Sequence, residues 1–164
     1  MDHMAPADLL QPLQGQREET LRVLDSLGTT DLGIVVRGDG RTVHQILCHL
    51  VDREHGVNFV IRRALAGQVV HLGPKEKLQI SRSESDPSPA GWDLVRIRTE
   101  LVEARDGLCQ TFLAMKEDDL DLPIRWPEWP ARTIRTSIPY MLEHEDSHVD
   151  EVRAAVQRDR KLAS

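Results

Sequence analysis

Apolar residues recur at three- and four-residue intervals over four stretches of this chain and almost nowhere alternate as a half-buried strand requires. The first stretch runs from about Ala7 to Leu27 on a stripe of Leu10, Leu13, Leu21, Leu24 and Leu27, and Gly28-Thr29-Thr30 ends it. Pro12 lies inside it, so the regular part is expected to begin near that residue. The second opens on Thr42-Val43-His44-Gln45, a Thr-x-x-Gln capping box, and continues through Ile46, Leu50, Val57, Ile61 and Ala64 to Gly67. Gly56 weakens its middle by about 1 kcal/mol relative to Ala. Ser88-Pro89 announces the third, as an N-cap followed by Pro at the first helical position; Leu94, Ile97, Leu101, Leu108 and Phe112 form its stripe, which fades near Met115. The fourth runs from about Thr133 to about Arg158 on Ile134, Ile138, Met141, Val152 and Ala155. Pro139 in its second turn predicts a kink or a later start.

Four amphipathic helices of roughly 20 residues, each about 30 Å long, are the size of a four-helix bundle. Between the second and third lie the residues from Gln68 to Ser88, far more than an antiparallel reversal needs. Twenty extended residues span about 66 Å, enough to climb back and start the next helix parallel to the last. The expected fold is therefore all-α, an up-down-down-up four-helix bundle with long second and third connections, formed as one domain over residues 1–164. The third connection, from Glu117 to Arg132, holds Trp126-Pro127-Glu128-Trp129-Pro130, two of the three tryptophans of the chain.

Composition narrows the partners. The 21 basic and 27 acidic residues leave a net charge of −6, which argues against a general nucleic-acid binder. No apolar run approaches the roughly 18 residues of a membrane span. The N-terminal residues lack the layout of a signal peptide, so a cytoplasmic location is expected. Cys48 and Cys109 stand apart and suggest neither a disulfide framework nor a thiolate zinc site.

The chemistry lies in the seven histidines. Glu143-His144-Glu145-Asp146-Ser147-His148 sits on the fourth helix, where two histidines four apart project from one face and can grip one ion. His144 to His148 also matches HExxH, the zinc-protease helix with Glu145 as general base. That reading fails on its third ligand, because only 16 residues follow His148 and none is His. At about 100° per residue both histidines fall in the sector of Ile134, Met141, Val152 and Ala155, so they point inward. Burying two imidazoles among aliphatic groups costs a few kcal/mol unless their nitrogens find partners, and a metal ion is one such partner. Carboxylates or backbone carbonyls are the other. An upstream ligand has four candidates: His44 and His55, on the side of the second helix where solvent exposure suffices to explain them; His49, beside the apolar stripe; and His71 in a loop.

Ile46-Leu47-Cys48-His49-Leu50-Val51-Asp52-Arg53-Glu54 and Leu142-Glu143-His144-Glu145-Asp146-Ser147-His148, about ninety residues apart, resemble the two motifs of the DinB/YfiT-like superfamily. The resemblance covers nearly the whole chain and implies His49, His144 and His148 as three ligands of a divalent ion, zinc or nickel before others, in an up-down-down-up bundle. It implies a small-molecule substrate and makes a homodimer possible. Characterised relatives include enzymes that use mycothiol or bacillithiol, so the first expectation is a metal-dependent enzyme transferring a low-molecular-weight thiol to a small electrophile. A metal-dependent hydrolase that acidifies a bound water is the first alternative, and a non-catalytic metal- or ligand-binding stress-response bundle the second. Glu145 and Arg53 are weak catalytic candidates, Glu145 against a reading as a helix-surface carboxylate and Arg53 as a partner for an acidic cosubstrate. Trp126 and Trp129 are candidates for the wall of a substrate pocket, against a reading as a cap on the core.

Overall fold

The computed structural model describes residues 5–68, 89–125 and 132–163. Four helices dominate: α1 (Leu10–Asp25), α2 (Val43–Leu65), α3 (Leu94–Leu113) and α4 (Ile134–Leu162). A short 3-10 turn, Pro6–Leu9, leads into α1, and Pro12 falls in the first turn of that helix, where a missing N–H leaves no intrahelical bond unmade. α2 carries the expected box, with Thr42 Oγ1 accepting from Gln45 N and Gln45 Oε1 accepting from Thr42 N.

Two boundaries differ from the sequence reading. α3 starts at Leu94, capped by Asp93 whose carboxylate accepts from Arg96 N at 2.8 Å, while Pro89 heads a separate 3-10 turn, Pro89–Gly91. Asp93 is the cap because Gly91 interrupts the helical path that Pro89 would have opened; Ser88 lies outside the described residues. α4 starts at Ile134 and runs unbroken past Pro139 to Leu162. Pro139 is exposed in the second turn, where its missing N–H removes one intrahelical bond, to the Arg135 carbonyl, without breaking the helix.

Polar contacts between helices fix their directions. His44 meets Trp92, Glu54 meets Arg105 and Asn58 meets Thr111, so α2 and α3 are parallel. Asp25 pairs with Arg98 and Arg17 with the Leu101 carbonyl, so α1 and α3 are antiparallel. Thr20 meets Glu145 and Ser26 meets Arg160, so α1 and α4 are parallel. The result is the up-down-down-up bundle with a long, parallel second crossover. A two-residue antiparallel ladder, Pro123–Ile124 with Arg132–Thr133, closes the base of the third connection. No described helix is long and apolar enough to cross a membrane.

The core is split in two. One apolar cluster packs Leu13, Val57, Ile61, Leu108, Phe112, Ile134 and Ile138; the other packs Leu24, Val43, Ile46, Val51, Ile97, Leu101 and Val152. Between them lies a charged layer to which each helix contributes one side chain: Arg17, Glu54, Arg105 and Glu145, each 4–5% exposed. Each arginine touches both glutamates, Arg17 Nη2 lying 3.1 Å and Arg105 Nη2 2.7 Å from Glu145 Oε2. Backbone carbonyls of Leu101 and Leu13 and the Thr20 hydroxyl accept or donate the next bonds out. Two positive and two negative charges cancel within the layer.

Candidate metal centre

α2 and α4 bring three imidazoles together. His49 comes from the middle of α2, beside the charged layer, and His144 and His148 stand one turn apart on α4. One ring nitrogen from each lies within 4.8 Å of the others, and the ring centroids are 4.5–5.4 Å apart. His49 Nε2 and His144 Nε2 are 3.5 Å apart. That is long for a hydrogen bond, whereas two nitrogens on one tetrahedral zinc-like ion, each about 2.0–2.1 Å from it, stand roughly 3.3 Å apart. The donor set therefore fits a shared divalent cation.

Electrostatics keeps the three rings neutral, the form that ligates. Burial pushes His49 from 6.5 down to about 3, and the two other imidazoles, Arg53 and Arg41 push it the same way. His144 is lowered to about 4 by burial, then by Arg53 and His148. His148 is lowered by burial against the opposing pull of the Glu151 carboxylate. Between the folded and unfolded values the unfolded chain binds more protons, so acid favours unfolding. The metal-free protein is expected to lose stability as pH falls from about 6.5 towards about 4, and His49→Gln to flatten that slope. Urea titrations of both proteins across the interval check it, and equal slopes would contradict it.

Glu151 orients one ligand. Its Oε2 and Arg37 Nη2 both lie 3.1 Å from His148 Nδ1; when Nδ1–H donates to the carboxylate, Nε2 keeps the lone pair for a metal. Arg37 holds Glu151 in turn, Nε donating to Oε2 and Nη2 to Oε1 at 2.9 Å each. Losing such an outer partner typically costs about 10–100-fold in metal affinity, and that loss is expected for Glu151→Ala in competition with a chromophoric chelator.

The cluster forms one wall of an open cavity of about 570 Å³, lined also by Arg37, Arg41, Tyr140, Glu143 and Ser147. The sequence reading missed Arg37 and Arg41. They flank the turn Arg37-Gly38-Asp39-Gly40-Arg41, just before the Thr42 cap. The turn is closed by Gly40 N donating to the Arg37 carbonyl at 3.0 Å and by the Val35–Thr42 bridge. Gly40 has φ +85°, a value that favours glycine. A pair of arginines around an Asp-Gly turn was the available signal.

Other expected residues fall elsewhere. Glu145 is neither a surface carboxylate nor turned to the cavity: it is 5% exposed and bound to Arg17, Arg105 and Thr20. Arg53 is half-buried and lines a small hollow with His144, Glu145 and Met141. His44 and His55 do not simply face solvent. Both are half-buried towards α3, His44 Nε2 2.9 Å from the Trp92 carbonyl and His55 Nε2 3.9 Å from Glu100. Trp126, Trp129 and His71 lie outside the described residues.

Comparison with known proteins agrees with this architecture. A family model described as the DinB superfamily matches residues 12–152. Among solved structures, YfiT from Bacillus subtilis, described as a probable metal-dependent hydrolase with an unusual four-helix bundle topology, superposes with a TM-score of 0.75 at 14% identity. The match covers 93% of this chain and 86% of YfiT, and at that identity it shows the shared fold. No curated protein matches the sequence.

Proposed function

Because the chain belongs to the DinB superfamily, we propose that His49, His144 and His148 hold a divalent transition metal and that the protein is an enzyme transferring a low-molecular-weight thiol to a small electrophile. The observation that carries the metal is the convergence of three neutral imidazoles on one focus beside an open cavity. Zinc and nickel suit imidazole ligands, and availability decides between them. When bound, the ion supplies a Lewis-acid charge that stabilises a thiolate near neutral pH.

The chain's own residues favour the thiol route. Glu145 occupies the position of a general base in HExxH helices, but its carboxylate is spent on Arg17, Arg105 and Thr20. A water nucleophile would lack that base, whereas a thiol acidified by the ion needs none. Arg37 and Arg41 at the cavity favour anionic sulfur over neutral thiol. In the overall reaction the S–H proton leaves to solvent, a sulfur–carbon bond forms, and the leaving group or opened ring takes the displaced electron pair. Glu143, exposed in the cavity lining, is the one described carboxylate there and supports the second reading, a hydrolase with Glu143 as base.

The test is a screen of metal-loaded and chelated protein with bacillithiol, mycothiol and glutathione against epoxide and alkyl-halide electrophiles. Metal-dependent conjugate formation is expected. No conjugation by fully loaded protein, together with ester hydrolysis that Glu143→Gln abolishes, would replace this reading by the hydrolase.

A further inference from the structure

The cavity beside the imidazoles gathers arginines in a chain whose net charge is negative. The chain as a whole carries −6. Yet Arg37 and Arg41 line this cavity, and Arg53 lies near enough to depress both His49 and His144. Among the described carboxylates, Glu143 lines it and Glu151 is tied to Arg37. Asp39, Glu143 and Glu151 balance the three arginines, so a divalent ion would give the site a positive excess that a neutral substrate leaves uncompensated.

The arginines are not equivalent. Arg37 is committed: its Nε and Nη2 both donate to Glu151. Arg53 is half-buried and lines the hollow next to the charged layer. Arg41 is exposed, and its described ion pair is a loose one, Nε to Asp39 Oδ2 at 3.4 Å with both side chains about half exposed. Its planar fork matches a carboxylate through two parallel N–H donors. The closed turn holds its backbone, because Arg41 N donates to Asp39 Oδ1 and its carbonyl accepts from Val36 N at 2.8 Å. A guanidinium on a fixed turn at this cavity, with three imidazoles at its wall, offers two separate points of attachment.

Resting on the thiol-transfer reading, we propose that the thiol cosubstrate bears a carboxylate and that Arg41 grips this group while the sulfur faces the three imidazoles. Arg41 is thus a specificity-determining residue of the site. A neutral thiol of the same size lacks the second anchor and binds more weakly.

Three probes separate the two anchors: 3-mercaptopropionate carries both groups, 2-mercaptoethanol the thiol alone, and propionate the carboxylate alone. Each is titrated calorimetrically into cobalt-loaded and metal-free protein, with the cobalt absorption bands reporting sulfur at the ion. In loaded wild type, 3-mercaptopropionate is expected to bind at least about tenfold tighter than 2-mercaptoethanol. Arg41→Gln should remove that advantage, weakening 3-mercaptopropionate far more than 2-mercaptoethanol, and Arg41→Lys should recover part of it as a point charge. Equal binding of the two thiols, or an Arg41→Gln protein that keeps the preference, overturns the inference while leaving the metal site standing. If no cobalt binds, yet metal-free protein takes up propionate in an Arg41-dependent way, the carboxylate grip stands and the thiol reading falls. Absence of both signals removes both.

Discussion

Arg105→Ala is expected to destabilise the fold by about 3–5 kcal/mol, because it leaves two buried carboxylates with Arg17 as their one remaining cation. Arg105 binds Glu54, Glu145 and the Leu13 carbonyl from a position 4% exposed, so its loss removes a donor from three groups that bulk water does not reach. For a chain of this length such a loss lowers Tm by roughly 6–20 °C, since each kcal/mol shifts it by about 2–4 °C. Glu54→Ala should cost a similar amount for the complementary reason, leaving Arg17 and Arg105 facing each other. The double variant Glu54→Ala with Arg105→Ala should cost clearly less than the sum of the two single changes, because each removes the charge the other strands. Urea denaturation of the four proteins measures this, and strict additivity would show that the layer is a set of independent contacts. The layer need not raise stability over an apolar core of the same volume. Its role is registry. A charged quartet with one member per helix is satisfied at one register, and a helix sliding by one turn would bury unpaired charges.

That layer marks where the sequence stops being legible. The apolar stripes define four helices because a 3.6-residue period is a local property, and the capping box at Thr42 sharpens one start. The parallel step from α2 to α3 is visible as connection length. The charged layer is invisible to that reading, since Arg17, Glu54, Arg105 and Glu145 are each the residue type normally solvated on a helix face. What betrays them is a gap in the stripe. Arg105 stands four residues after Leu101 and three before Leu108, on the line of the core, and Glu145 stands four after Met141 and seven before Val152. Only the other three helices decide whether such a charge is a satisfied interior group or a surface one.

The metal-ligand candidates divide along the same boundary. The His144–His148 pair is local and its inward direction follows from its own helix. His49 is set by how α2 packs on α4, and its angular position alone separates it only weakly from His44 and His55. Those two are directed instead towards α3, into contacts with Trp92 and Glu100. Arg37, Arg41 and Glu151 are less legible still, because they reach the site from a turn and from the next turn of α4, and carry no period.

Chelation of the loaded wild-type protein is expected to lower its Tm by roughly 8–16 °C, whereas His148→Ala should melt at the same temperature with and without metal. An ion that binds only the folded chain stabilises it by RT ln(1 + [M]/Kd), about 4.1 kcal/mol at a thousandfold excess over Kd. Three ligands from two helices fit this case, because unfolding separates His49 from the α4 pair by ninety-odd residues of chain and destroys the site. Removing His148 leaves two imidazoles, and affinity should fall by at least about a thousandfold, beyond the ~10–100-fold cost of losing an outer partner such as Glu151. Alanine is the strongest helix former and the His148 side chain contributes no member to either apolar cluster, so metal-free His148→Ala should stay folded. Scanning calorimetry with and without excess zinc, beside metal content per chain, gives both numbers. A wild type whose Tm ignores both metal and chelator would mean that the three rings are packed polar groups, with the charged layer as the sole specific device at the centre of the bundle.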